Sequence, residues 1–221
     1  MTNFAPRFVP LGDSALTIAI GEGISRDLSR EVLRVANELR SADVSGLSEV
    51  VASYASLTLF YDPLVITFEE LLAGAKPLVE QSLGKSATTD FVEPRTVHIP
   101  VRYDGEDLAG IAERTGLTTG EVVELHSGRE YHVYVIGFVP GFAYLGELHP
   151  LLVLPRRSEP RKRVPAGSVA VAEAQTGVYP FSTPGGWHLI GRTEVKMFDP
   201  GSPDPALLRV GDRVVFDPVG A

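Results

Sequence analysis

Residues 136–200 read IGFVPGFAYLGELHPLLVLPRRSEPRKRVPAGSVAVAEAQTGVYPFSTPGGWHLIGRTEVKMFDP, and this stretch decides the fold of the second half of the chain. It holds eight of the 17 prolines, which excludes a long regular helix because each proline removes a backbone donor and fixes φ. Turn signals lie at 140–141, 165–167 and 184–186. Between and after them, the runs 168–172, 188–190 and 195–198 favour β-strands. The stretch therefore predicts shaped loops on a β scaffold, where binding surfaces usually lie.

The segments around this stretch add further strands and two short helices. Residues 96–103 alternate apolar and polar side chains, as a half-buried strand does. Residues 107–115 and 119–126 predict helices, and the second begins with a capping box of Thr118 and Glu121. Strands are also expected at 131–139 and near 210–219. Many short strands separated by turns predict a closed or nearly closed β-barrel.

The first half of the chain has a different pattern. A strand at 15–20 precedes an amphipathic helix whose apolar positions run from Ile24 to Leu39, with Ser25 or Gly23 as its cap. Two strands, at 50–51 and 57–61, lead to a helix that Thr67 and Glu70 cap and that Pro77 should kink or break. With a further strand, the order β-α-β-β-α makes a ferredoxin-like arrangement.

The polar segment 84–94 ends in proline and predicts a linker between two domains. We therefore expect an α+β protein with a ferredoxin-like domain at 1–90 and a β-barrel domain at 91–221.

Composition excludes several classes of function. The net charge of −8 argues against a nucleic-acid partner, and the absence of cysteine excludes disulfides, thiolate metal sites and a cysteine nucleophile. No apolar run reaches the length of about 18 residues that a membrane span needs. The chain also shows no signal-peptide pattern, and we expect a cytoplasmic protein. It contains no Walker-type phosphate loop.

Arginines form the first group of candidate binding residues. Arg161 and Arg163 belong to a basic run that contrasts with the acidic chain, and Arg192 follows the glycine of a predicted strand. In a loop braced by proline, arginines could bind a carboxylate or phosphate. A solvated loop or an interface with an acidic subunit explains the same run equally well.

The other candidates are polar and aromatic residues of the same stretch. Gln175 and Tyr179 could orient a polar ligand or satisfy buried turns. Phe142, Tyr144 and Trp187 could form a binding rim or a small core. His188 is the best acid–base candidate, although a lone histidine on a strand is more often structural. The five histidines show no metal-ligand spacing, and the serines lack a Gly-x-Ser-x-Gly context, so we expect neither a metal site nor hydrolysis by this chain alone.

Four ordered motifs resemble one family. GFVPGFAYLG (137–146), PRKRVPAGSVAVAEAQTGVYP (160–180), TPGGWHLIGRT (183–193) and FDP (198–200) are similar to those of the B subunit of 5-oxoprolinase, also called allophanate hydrolase subunit 1. The resemblance implies a ferredoxin-like domain followed by a cyclophilin-like β-barrel. It also implies two partners, the A subunit and a C subunit similar to allophanate hydrolase subunit 2, in the ATP-dependent opening of 5-oxo-L-proline to L-glutamate.

The resemblance leaves functional alternatives open. Relatives form the carboxyltransferase part of urea carboxylase, and KipI-type members inhibit a sporulation histidine kinase. Prolyl isomerisation is suggested only by analogy with the barrel fold. The motifs mark a site without assigning roles to its members, which are Arg161, Arg163, Ser168, Gln175, Tyr179, Trp187 and Arg192.

Overall fold

The computed structural model describes residues 4–84 and 94–220. It divides the chain into two compact units, Met1–Glu93 and Pro94–Ala221. The expected domain boundary between residues 90 and 91 lies outside the described residues, as does most of the expected linker.

Within the described residues, the first unit contains four strands and two helices. They are β1 (Arg7–Pro10), β2 (Ala15–Ala19), α1 (Arg26–Ser41), β3 (Leu47–Ser53), β4 (Ser56–Tyr61) and α2 (Phe68–Gly84). The strands pair antiparallel in the order β1-β2-β4-β3. The further strand, β1, precedes β2 in a hairpin, whereas the ferredoxin-like order places it after the second helix. The ferredoxin-like assignment of this unit stays a prediction.

Local signals set both helices of this unit. The Ser25 side chain caps α1 by accepting a hydrogen bond from the Leu28 amide at 3.4 Å. Thr67 and Glu70 form the expected reciprocal bonds at the start of α2. Of the two expected effects of Pro77, a break of the helix is wrong, because α2 continues to Gly84, while a kink stays a prediction. Fully buried Leu71, Ala75 and Val79 flank the proline and offset its cost of about 3 kcal/mol.

The second unit is richer in strands. Its strands are β5 (Thr96–Val101), β6 (Glu130–Ile136), β7 (Ala143–Gly146), β8 (Arg161–Val164), β9 (Ser168–Ala172), β10 (Gln175–Val178), β11 (Thr183–Gly185), β12 (His188–Arg192) and β13 (Arg213–Pro218). Its helices are α3 (Leu108–Thr115), α4 (Thr119–Ser127) and a 3-10 turn at Pro150–Leu152. The expected capping box of Thr118 and Glu121 opens α4.

Seven of these strands form one sheet in the order β12-β9-β10-β7-β6-β13-β5, and β8 pairs with β11. The two ends of the large sheet meet at Arg102 and Arg192, whose backbones exchange hydrogen bonds of 2.9 and 2.8 Å. The expected α+β class and nearly closed barrel are thus confirmed, while the cyclophilin-like assignment stays a prediction.

Glycines permit this seam. A Cβ on Gly191 would lie 2.6 Å from the Arg102 carbonyl oxygen, and one on Gly105 would lie 2.4 Å from the Ile190 carbonyl carbon. Any larger residue would force the two backbones apart.

The sheet separates two cores. Along β9, Val169 and Val171 face a large core to which α3 and α4 contribute, whereas Ala170 and Ala172 face a smaller, aromatic core. The prediction of a strand at 195–198 is wrong. Phe198 makes only an isolated bridge to Ala206, because the chain turns back on itself there instead of joining the sheet.

Candidate functional site

Four of the expected site residues form an aromatic cluster on the smaller core: Phe142, Tyr144, Tyr179 and Trp187. The Phe142 ring lies edge-on to the other three, with centroid distances of 4.9, 5.3 and 5.5 Å. Phe142, Tyr179 and Trp187 are buried and Tyr144 is half-buried. The cluster is therefore mainly a packed core, with Tyr144 at its open edge.

The turn before Trp187 is shaped by Tyr179. The Tyr179 hydroxyl accepts a hydrogen bond from the Trp187 backbone, and a Cβ on Gly185 would lie 2.3 Å from that hydroxyl oxygen. Burial raises the pKa of Tyr179 and of Tyr144, although the charge of Arg156 opposes both shifts. Both phenols therefore stay neutral and serve as hydrogen-bonding groups instead of bases.

A second group, which we call the Asp107 clamp, joins Asp107 to Arg157 and Arg161. One carboxylate oxygen of Asp107 accepts hydrogen bonds from Arg157 Nη1 at 3.0 Å and Arg161 Nη2 at 2.9 Å. The other accepts one from the Leu189 amide at 2.6 Å. Arg161 Nε also contacts Glu106 Oε1 at 2.6 Å. The clamp fixes the loop before β8 to the start of α3.

Electrostatics favour the charged form of the clamp. Burial opposes ionisation of Asp107, but the hydrogen bonds from Arg161 and Leu189 and the two arginine charges outweigh it and lower the pKa of the carboxyl. Burial likewise opposes the charge of Arg161, and its carboxylate partners still raise its pKa. Arg157 Nε and Arg161 Nη1 are buried without a hydrogen-bond partner among the described residues.

The third group lines a cleft of about 280 Å³ beside the seam of the barrel. Its lining consists of Asp104, Gly105, Glu106, Pro165, Ala166, Ser168, Leu189, Gly191 and Arg192. Two expected site residues meet here, since Ser168 and Arg192 are opposite each other across β9 and β12. Opposite residues of an antiparallel pair project from the same face.

The polar side chains of the cleft differ in exposure. Ser168 is only 6% exposed, but its hydroxyl oxygen is reached by solvent and makes no hydrogen bond to the described parts of the chain. The Arg192 side chain is 62% exposed and its Nη2 lies 2.8 Å from Asp104 Oδ2. The cleft thus offers a hydroxyl, a guanidinium and the carboxylates of Asp104 and Glu106.

The remaining expected site residues lie elsewhere in the second unit. Arg163 is exposed on β8 and its Nε donates to Ser182 Oγ at 2.9 Å. Gln175 begins β10 and pairs with Ala172. His188 is 4% exposed and its Nε2 donates to the Pro155 carbonyl at 2.9 Å, so the ring is held in place, and its acid–base role stays a prediction.

A buried network at His126 belongs to the large core. Tyr103 donates to His126 Nδ1 at 2.8 Å, and His126 Nε2 donates to Thr176 Oγ1 at 2.9 Å, whose own proton goes to the Ala170 carbonyl. Burial lowers the pKa of His126 to about 3. The ring is therefore a neutral, internally satisfied part of the fold.

Sequence reasoning missed the acidic turn Asp104–Asp107. Its carboxylates supply every acidic partner of Arg157, Arg161 and Arg192 in the described residues. A signal existed, because a proline-braced basic run in an acidic chain needs counter-charges, and Asp-Gly-Glu-Asp is a compact source of them.

Two kinds of feature are absent from the described residues. No group of three or more histidine, cysteine, aspartate or glutamate side chains there has metal-binding geometry. No helix in the same ranges has both the length and the apolar character needed to cross a membrane.

Comparison with known proteins gives a consistent set of similarities. The family model of the carboxyltransferase domain, subdomain C and D, matches residues 6–208. A Bacillus subtilis (strain 168) protein, named as the B subunit of 5-oxoprolinase, is 42% identical over 216 residues, which cover 93% of this chain and 90% of the relative. A protein of the same name from Escherichia coli O157:H7 is 39% identical over 211 residues, or 94% of each chain.

Solved structures give the same result for the fold. The crystal structure of TTHA0988 is 43% identical, with a TM-score of 0.81, and the match covers 94% of this chain and 40% of that one. This chain therefore spans less than half the length of that relative. The urea amidolyase of K. lactis has a TM-score of 0.79 at 16% identity, over 97% of this chain and 15% of that enzyme. At this identity, the likeness concerns the fold alone.

Proposed function

Because the chain belongs to the family of the 5-oxoprolinase B subunit, we propose that it is one subunit of an ATP-dependent complex that opens 5-oxo-L-proline to L-glutamate. The observation that carries the proposal is the identity of 39–42% to proteins of that name over almost the whole chain. The cleft is compatible with it, since it offers hydrogen-bonding groups of both signs for a small polar substrate.

The described residues argue for a subunit that needs partners. A lactam is unreactive until its oxygen is activated, for instance by phosphorylation. Arginines and hydrogen-bond donors suit the negative charge that develops on that oxygen. Ser168 is not hydrogen-bonded to a general base within the described ranges, so the cleft lacks the pairing of an activated nucleophile. We therefore expect no hydrolysis by the isolated chain.

ATP does not fit the residues of the cleft. At about 280 Å³ the cleft is at the small end of ligand sites, and the carboxylates of Asp104 and Glu106 would repel a triphosphate. We therefore propose that ATP binds outside this cleft in the assembled complex, and we assign it no contact with the residues of the cleft.

Partner chains related to the C and A subunits of 5-oxoprolinase complete the proposal. The length of TTHA0988 supports the need for further polypeptide, because the region that matches this chain makes up only 40% of that relative. The relatives' own names, which describe them as subunits, support it as well.

Reconstitution tests the proposed function. ADP and glutamate should form together when 5-oxo-L-proline and ATP are added to this chain mixed with its cognate subunits, and neither should form when this chain is omitted. A well-formed complex that ignores 5-oxo-L-proline would contradict the proposed substrate. A chain that fails to bind the C subunit would contradict the enzyme role and favour the KipI-type role of kinase inhibitor.

A second candidate is an amidohydrolase or carboxyltransferase subunit acting on allophanate or another urea derivative. The carboxyltransferase family model and the fold of the K. lactis urea amidolyase favour it. The same reconstituted complex, supplied with allophanate or urea in place of 5-oxo-L-proline, separates the two candidates by which substrate stimulates turnover.

A further inference from the structure

We propose that the cleft at the barrel seam binds a small molecule that carries both a carboxylate and an amide N–H. Arg192 would bind the carboxylate, and Ser168 with the carboxylates of Asp104 and Glu106 would accept the N–H. Lactam acids such as 5-oxo-L-proline, and ureido acids, carry both of these groups. The choice of this ligand class rests on the proposed function, while the position and the roles come from the geometry of the cleft.

Ser168 is the strongest evidence for a ligand. Ser168 is 94% buried as a residue, since its exposed fraction is 6%. Its hydroxyl makes no hydrogen bond to the described residues, and its oxygen is not among the fully buried side-chain atoms without a partner, so solvent reaches it. The residue lines the cleft, which is the route by which a ligand would reach it. A ligand in the cleft could therefore hydrogen-bond to this hydroxyl without displacing a side chain of the protein.

Arg192 supplies the positive charge at the rim. Its guanidinium contacts Asp104 through Nη2 and has other N–H donors that no carboxylate in the described residues occupies. Because Arg192 is opposite Ser168 across two paired strands, one small molecule could reach both. A carboxylate would bind the free edge of the guanidinium without displacing Asp104.

The charges of the cleft select a ligand with two kinds of group. A simple anion would meet Asp104 and Glu106 as well as Arg192, so these charges would largely cancel its attraction. A ligand that also presents an N–H donor would use the same carboxylates as acceptors. The small volume favours a molecule the size of an amino acid.

Titration of the isotopically labelled full chain, followed by amide NMR, tests the proposal. The probes are 5-oxo-L-proline as a lactam acid, N-carbamoylglycine as a ureido acid and 2-pyrrolidinone as a lactam without a carboxylate. We expect saturable shifts of the Gly105, Ala166 and Gly191 amides with at least one of the two acids. Which acid binds more tightly distinguishes the two sources of the shared chemistry.

Two variants and a matched control assign the roles. Arg192→Gln should weaken binding of the acid about tenfold or more, through loss of a charged hydrogen bond, and should leave 2-pyrrolidinone unaffected. Ser168→Ala should weaken both ligands by about threefold to tenfold. Arg209→Gln is the control, because Arg209 is 61% exposed and paired with Asp204, much as Arg192 is 62% exposed and paired with Asp104, but it does not line the cleft.

Several outcomes would overturn the proposal. These are an absence of saturable shifts with both acids, shifts confined to residues outside the cleft, equal binding by Arg192→Gln and Arg209→Gln, or tighter binding of 2-pyrrolidinone than of either acid. The reconstituted complex separates this proposal from the proposed function. Normal turnover and KM in Arg192→Gln would contradict the proposed ligand role of the cleft and would leave the proposed function intact. If the complex binds one of the acids in the cleft but is inactive on 5-oxo-L-proline, the proposed function is contradicted and the proposed ligand role of the cleft is supported.

Discussion

Two kinds of polar site lie in the second unit, and they differ in whether the hydrogen-bonding capacity of their groups is fully used within the protein. Asp107 and His126 lie inside networks in which both carboxylate oxygens and both ring nitrogens are hydrogen-bonded. In the cleft, the Ser168 hydroxyl has no such bond within the described residues and Arg192 is largely exposed. Polar groups of the first kind hold the fold, and those of the second kind are available to a ligand.

The aromatic cluster is mainly a packed core, and substitutions there should have the largest effect on the stability of the second unit. Phe142→Ala should lower the free energy of unfolding of the second unit by about 3–5 kcal/mol, because Phe142 is 2% exposed and contacts four other rings. Urea unfolding followed by fluorescence measures this, since Trp187 is the only tryptophan and lies in this unit. Tyr144→Phe is the control and should change stability by less than about 0.5 kcal/mol. Equal effects of the two variants would contradict the distinction between closed and open parts of the cluster.

The Asp107 clamp should show the next largest effect. Asp107→Ala should lower the free energy of unfolding by about 2–4 kcal/mol, because it leaves two partly buried arginines and the Leu189 amide without their acceptor. The matched change Asp104→Ala removes an exposed ion pair and should cost less than about 1 kcal/mol. The same urea titration compares them, and a small effect of Asp107→Ala would show that the clamp is not structural.

His126 should make the second unit sensitive to acid. Its pKa is lowered from 6.5 to about 3 by burial, so the unfolded chain binds a proton that the folded chain does not. Stability is therefore lost as pH falls from 6.5 towards 3, by about 1.4 kcal/mol per pH unit from this residue. The lowered pKa of Asp107 acts in a separate window, below its ordinary value of 3.8.

Urea midpoints measured between about pH 6 and pH 4 isolate the histidine contribution. His126→Gln should flatten the pH dependence of the free energy of unfolding. The control His98→Gln should leave it steep, because His98 is 62% exposed. The same slope in both variants would show that His126 is not responsible.

The smallest expected effect on stability belongs to the cleft. Arg192→Gln and Ser168→Ala should each change the free energy of unfolding by less than about 0.5 kcal/mol, because neither removes a buried partnered group. Thermal and urea unfolding check this on the protein samples used for ligand titration. A loss as large as that of Asp107→Ala would place both residues with the structural sites instead.

Prediction from sequence succeeded where the signal is local. The caps Ser25, Thr67 and Thr118 all bond to amides within three residues, and α1, α2 and α4 begin directly after them. The predicted run 168–172 is β9. Failure came where neighbours distant in sequence decide the outcome, as at Pro77, which burial of flanking residues keeps within α2.

The motifs predicted one group of site residues, and their arrangement is visible only in the structure. The motifs placed Ser168 and Arg192 in one group with Arg161 and Trp187, and the structure separates them into the cleft, the Asp107 clamp and the aromatic cluster. The acidic turn was missed because its local sequence, although rich in carboxylates, does not indicate which arginines it pairs with. Its arginine partners are 50 and 54 positions further along the chain.

By itself, the sequence determined the helices, many of the strands, the α+β class and the family, because hydrophobic periodicity, caps, turns and motifs are properties of neighbouring residues. Only the tertiary structure decided which arginine is held by Asp107 and which stays open at the cleft. Those roles depend on closure of the barrel, where Arg102 meets Arg192 and glycines let the backbones touch. Burial and the availability of a partner arise only once distant segments pack together, and they determine whether a charged side chain supports the fold or remains free to bind.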